Sequence, residues 1–214
     1  MAGYFIYSLD GDAFTQLVTE PTDAQARALA EHLLSEDYRD DTAKVGWPTE
    51  LAPLADLVKT RLAKADWYGD LTEGQADVWD NLVHSFAHEP GEACGLDFEC
   101  TDYESIYWDC AEFAAANGAP LMEEKTFGCS GFRCPPEKRS QLERYYHLMT
   151  PAETRTLHEQ LKAVEPHAAA LPGFNPKAMD DDDESVATQF FLGLYNPVAD
   201  IAARGRALYV QLDT

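Results

Sequence analysis

The sequence predicts an α+β fold, helix-rich in the middle, with strands near both termini joined in one small mixed sheet. Three observations lead there. An aromatic and β-branched run opens the chain, a strictly alternating run closes it, and four Thr-x-x-Glu/Gln segments between them mark helix starts.

The opening run, Tyr4 to Leu9 (YFIYSL), reads as a buried strand ended by Asp10-Gly11. A short helix is expected from Asp12 to Val18. Thr22-Asp-Ala-Gln25, Thr72-Glu-Gly-Gln75, Thr101-Asp-Tyr-Glu104 and Thr150-Pro-Ala-Glu153 fit the capping box, in which the Thr hydroxyl and the third residue on satisfy two orphan N–H groups. Apolar residues then recur at helical spacing: Ala26, Leu29, Ala30 and Leu33; Val78, Trp79, Leu82, Val83 and Phe86; Ile106, Tyr107, Cys110, Phe113 and Ala114; Leu157, Leu161 and Val164. A further helix is expected from about Ala52 to Ala65, with Pro53 in its first turn.

Pro120 to Phe127 reads as a strand and Gly128 to Arg139 (GCSGFRCPPEKR) as a loop. Glu184 to Tyr195 reads as a helix that Asn196-Pro197 interrupts, followed by a short helix stopped by Gly205. Leu208, Val210 and Leu212 share one face of a closing strand, with Tyr209 and Gln211 on the other. No internal repeat or linker stands out, so residues 1–214 are expected to form a single globular domain.

Composition bounds the function. With 45% hydrophobic and 11% aromatic residues, the chain can build an ordinary core. A chain of this length buries roughly 70% of its unfolded surface and needs no staple. Lys plus Arg is 16 against 38 Asp plus Glu, a net charge of −22. Such a surface repels phosphate backbones and anionic lipid, so neither nucleic acid nor membrane is an expected partner. A basic protein would be steered toward it. Solubility alone, or a host whose proteins are all acidic, would produce the same balance. Cys94, Cys100, Cys110, Cys129 and Cys134 make an odd count. With no basic n-region ahead of an apolar stretch in MAGYFIYSLDGD, free thiols and a cytoplasmic setting are expected. No run approaches the eighteen or so apolar residues of a membrane span.

Few motifs survive inspection. There is no G-x-x-x-x-G-K-[ST] and no G-x-G-x-x-G. No cofactor is expected. His84 and His88 stand four apart on one helical face, with Cys94 or Cys100 near in sequence as a third zinc ligand, but the H-E-x-x-H pattern is absent. Cys129 and Cys134 share a Gly/Pro loop with Arg133, Lys138 and Arg139, where cations lower a thiol pKa. Their Arg spacings miss the C-x5-R of a phosphatase loop. Cys129 or Cys134 with His147, helped by Glu123 and Glu124, remains the candidate catalytic set. The acidic tract Asp180 to Glu184 lacks the Gly and Glu of a calcium loop and complements the N-terminal end of the helix that follows. Finally, Asp102-Tyr-Glu-Ser-Ile-Tyr-Trp-Asp109 interleaves Tyr103, Tyr107 and Trp108 with Asp102 and Asp109. Together with Arg133 these are the candidate partner-binding residues, since aromatics among carboxylates suit a cationic ligand. The competing expectation for the grouped aromatics Trp47, Trp67, Tyr68, Trp79, Tyr103, Tyr107 and Trp108 is that they lie mostly in the core.

Three segments resemble the YfbM-like bacterial proteins of unknown function. They are Met1-Ala-Gly-Tyr-Phe with Phe14 to Pro21, Tyr146-His-Leu-Met-Thr-Pro-Ala-Glu153, and Phe191 to Tyr195 with Gly205 to Val210. The resemblance covers about a quarter of the chain. It implies an α+β fold and a bacterial cytoplasmic setting, and no site residue carries over from it. The expected function is a non-enzymatic interaction module, immunity-like or regulatory, that meets a basic protein. The alternatives are an enzyme or ligand-binding domain near Cys129 to Arg139, and a metal protein using His84, His88 and a cysteine. The sequence carries no signature of oligomeric state.

Overall fold

The structure is a computed structural model. It describes residues 3–96, 99–101, 107–123, 136–143, 146–172, 174–176, 179 and 185–213. In chain order the elements are β1 (Gly3–Leu9), α1 (Gly11–Thr19), α2 (Asp23–Leu33), α3 (Arg39–Lys44), α4 (Leu51–Ala63), α5 (Glu73–His84), α6 (Glu89–Ala93), β2 (Glu99–Thr101), α7 (Tyr107–Ala116), α8 (Pro136–Leu142), β3 (Tyr146–Met149), α9 (Pro151–Ala169), α10 (Val186–Gln189), α11 (Asn196–Ala203) and β4 (Ala207–Asp213). The protein is therefore α+β, with β1 and β4 near the two ends and the short β2 and β3 set among the helices between them.

Contacts divide the chain into two compact units. One comprises Met1–Ser8, Glu99–Phe132 and Tyr146–Thr214; the other comprises Leu9–Phe98 and Arg133–Tyr145. Neither is a continuous stretch. The residues on both sides of the acidic tract at Asp180 belong to the same unit, so that tract is not a boundary.

The first unit holds the sheet, with strand order β2-β1-β4-β3. β1 pairs antiparallel with β2 (Tyr7 opposite Cys100), and β3 pairs antiparallel with β4 (His147 opposite Val210). One sheet face, carrying Ile6, Met149, Leu208 and Val210, joins a core with Leu157, Leu161 and Val164 of α9 and Phe190, Leu194, Val198 and Ile201 beyond. The stripe expected on α9 faces this core. Thr154 of α9 is buried there; its Oγ1 donates to the Thr150 carbonyl at 2.9 Å and accepts from the Leu208 amide at 3.2 Å, tying helix to strand. On the other face Tyr7, Leu148 and Tyr209 are buried as well, and the Tyr7 and Tyr209 rings lie 5.3 Å apart.

The second unit is helical. α2 packs on α4 and α6, and α1 packs on α4. Leu29, Leu33, Leu54, Val58, Leu62, Trp79, Leu82 and Phe86 are buried, as their spacing predicts. Trp47, Trp67 and Trp79 belong to this core, with Trp79 edge-on to the other two rings at 6.4 and 5.9 Å. Buried Thr42 of α3 donates to the carbonyl of Leu33, the last residue of α2, at 2.9 Å.

Three of the four capping boxes form, at Thr22, Thr72 and Thr150. The fourth, from Thr101 to Glu104, lies mostly outside the described residues: Thr101 itself is in β2 opposite Ile6, and α7 is described from Tyr107. The strand expected from Pro120 is instead a 3₁₀ turn over Pro120–Met122; from Glu124 on, that segment lies outside the described residues. The loop expected up to Arg139 gives way to α8 at Pro136, a first-turn proline that begins a helix without losing a bond. Asn196-Pro197 interrupts nothing. α10 passes through a π-helical stretch, Phe190–Tyr195, straight into α11. The wider turn shifts the bonding register ahead of Pro197, so its missing N–H falls where the next helix starts.

Candidate functional site

The expected partner surface is reached at one end. Tyr107 and Trp108 begin α7, and Asp109 beside them is exposed. Cys110 turns inward: its thiol donates to the Val186 carbonyl at 3.8 Å and burial pushes its pKa up to about 12. Asp102, Tyr103 and Arg133 lie outside the described residues, as do Cys129, Cys134 and Glu124. Of the candidate catalytic set, the structure places His147, half-buried on β3, and Glu123, half-buried just after the 3₁₀ turn.

The metal candidates are all placed. His84 ends α5 and His88 precedes α6, their ring centroids 6.2 Å apart. Cys94 faces α2 instead. Its thiol donates to the Gln25 carbonyl at 3.5 Å while the Gln25 amide donates to the Cys94 carbonyl at 3.4 Å. Burial pushes this thiol up to about 12. Among the described residues, no group of three or more His, Cys, Asp and Glu is arranged to hold a metal ion.

The most concentrated polar chemistry lies where the sequence pointed only to a basic loop. Lys138 of α8 is 1% exposed. Its Nζ donates to the carbonyls of Val18 and Leu62 and lies 5.3 Å from the centroid of the Trp67 ring. Both acceptors sit in the last turn of a helix, α1 and α4 respectively, where carbonyls lack intrahelical donors and the helix end is negative. The Leu62 carbonyl also accepts from Trp67 Nε1 at 3.2 Å. Two helix C-termini and an aromatic face thus converge on one ammonium group.

A fringe of paired groups fixes this centre. Arg61 donates to the Trp67 carbonyl at 2.6 Å and to Asp70 at 2.9 Å, and Lys64 donates to Asp70 at 2.6 Å. These two cations hold the Asp70 carboxyl well below the usual carboxylate range. The Asp66 carboxylate accepts from the Tyr68 amide at 2.9 Å and from Gln141 Nε2 at 3.1 Å, and its pKa is lowered by those bonds. The Tyr68 hydroxyl donates to Asp80. Pro136 followed by Glu137 signals the α8 start, but nothing local in the sequence distinguishes Lys138 from a surface lysine.

Acids dominate the surface. Glu36, Asp37, Asp40 and Asp41 stand exposed between α2 and the end of α3, as do Glu73, Asp77, Glu89 and Glu92 around α5 and α6. Among the described residues, no helix is long and apolar enough to cross a membrane.

The fold and this surface define an α+β protein with an acidic exterior and a lysine-centred polar core in its helical unit. No family model, curated protein or solved structure matches the chain.

Proposed function

We propose that the protein is a non-enzymatic interaction module, of the immunity or regulatory kind, that presents an acidic surface to a basic protein partner in the bacterial cytoplasm. The charge balance carries the reading. Pairing every one of the 16 Lys and Arg residues with an acid would still leave 22 of the 38 carboxylates over. Many described carboxylates stand in water, where they steer an oppositely charged partner rather than build the fold. Cys94 and Cys110 support the same reading: burial raises both thiols and disfavours the thiolate that a nucleophile needs. Asp102, Tyr103, Tyr107, Trp108, Asp109 and Arg133 are the proposed contact residues, aromatics supplying area and acids supplying orientation. The likeness of the terminal segments to YfbM-like proteins belongs to this proposal and brings no activity with it.

The test is capture from the native host with the immobilised chain, set against a Trp108→Ala/Asp109→Asn variant. The expected result is a basic protein that elutes as salt rises and is retained less by the variant. Recovery of no salt-sensitive partner, or equal retention by both chains, contradicts the proposal.

A further inference from the structure

The surroundings of Lys138 have the chemistry of a ligand site. Primary ammonium groups are recognised by converging carbonyl oxygens and by the face of an aromatic ring, and tryptophan is the best of these. Here the carbonyls of Val18 and Leu62 and the Trp67 ring supply both. All three belong to the stretch Leu9–Phe98, whereas the ammonium arrives on α8, in the separate stretch Arg133–Tyr145 of the same unit. The receptor is therefore built without α8, and α8 brings the occupant.

α8 is short. It spans seven residues, too few for a helix to persist alone. Leu142 is a deep apolar anchor, and Lys138 and the Gln141–Asp66 bond at 3.1 Å are among its polar ones. Two of its polar atoms, Arg139 Nε and Gln141 Oε1, are buried without a hydrogen-bond partner among the described residues. Opening would return both to water, which lowers the cost of lifting the helix. By contrast, the receptor side is braced: Arg61 holds the Trp67 carbonyl, and the Trp67 ring packs edge-on against Trp79 and Phe86 at 5.9 and 6.4 Å.

We propose that the Val18 and Leu62 carbonyls with the Trp67 ring form a primary-ammonium site that Lys138 fills in cis, and that a lysine side chain of a basic partner takes when α8 lifts. This rests on the proposed interaction function and gives it a chemical target: a lysine, not merely positive charge. The intramolecular lysine then acts as an autoinhibitory occupant.

n-Butylammonium, which reproduces the lysine side chain beyond Cα, is the probe. Hydrogen exchange of the full wild-type chain is followed with increasing n-butylammonium chloride against equal sodium chloride and tetramethylammonium chloride. Amine captured by the open form at about ten times its dissociation constant should speed α8 amide exchange about tenfold, leaving α2 and α5 unchanged. The Lys138→Ala chain supplies a second arm: n-butylammonium should raise its melting midpoint by about 2–4 °C at a few times the dissociation constant, and tetramethylammonium should not. No amine-specific change in α8 exchange overturns the site. If Lys138→Ala does not fold, the wild-type exchange decides alone. Neither arm uses a protein partner, so failure here leaves the salt-sensitive capture experiment standing on its own result.

Discussion

Replacing Lys138 with methionine removes the ammonium and keeps most of the side-chain volume, so the loss it causes is electrostatic rather than a cavity. The Val18 carbonyl loses a charged donor, whereas the Leu62 carbonyl keeps Trp67 Nε1 at 3.2 Å. The two hydrogen bonds to the charged group contribute about 1.5–3 kcal/mol each, about 3–6 kcal/mol together. The cation–π contact adds roughly 1 kcal/mol. Against these stands the desolvation of the ammonium, several kcal/mol, which methionine avoids. The sum is a destabilisation of about 2–3 kcal/mol. Urea titration with tryptophan fluorescence as readout is suited to it, because Trp67 lies against the substituted group. The midpoint should fall with the slope unchanged. A Lys138→Met chain within about 0.5 kcal/mol of wild type would refute the reasoning, since desolvation would then cancel the bonds outright.

The same physics reaches other sites. Thr150→Ala removes a hydroxyl that accepts from the Glu153 amide at 3.3 Å and donates to the Glu153 carboxylate at 2.9 Å, and should cost about 1–2 kcal/mol in the same titration. Cys94 and Cys110, each pushed up to about 12, should resist alkylation at pH 8 until the chain unfolds, with rates on the order of 10³ below a free thiol. Their folded pKa exceeds the unfolded value near 9, so the neutral thiols contribute stability in full below about pH 9 and lose it as pH climbs toward 12. Cys94→Ala should therefore flatten the decline of stability above pH 9; an unchanged decline would assign it to other groups.

The parts of the fold visible in the sequence are those set by local chemistry. Thr22, Thr72 and Thr150 each close a capping box, because both partners lie within one turn. β1 follows from its aromatic and β-branched run and β4 from period-two patterning. β2 and β3 do not. Three or four residues carry too little periodicity, and their pairing with β1 and β4 joins residues remote in sequence. The ammonium site was illegible for a related reason. Val18, Leu62, Trp67 and Lys138 are scattered along the chain, and the acceptors are backbone carbonyls whose side chains give no hint of the role. Of the expected contact residues, Asp109 stands exposed near the start of α7.

The central claim is that the acidic exterior steers a basic partner, and association kinetics test it most directly. The on-rate of the captured partner is measured from about 50 to about 300 mM salt, a range over which the screening length shortens more than twofold. The account predicts an on-rate that falls about tenfold or more across the series, with the dissociation rate changing little. An on-rate that stays flat would contradict it and leave the charge of −22 to solubility alone.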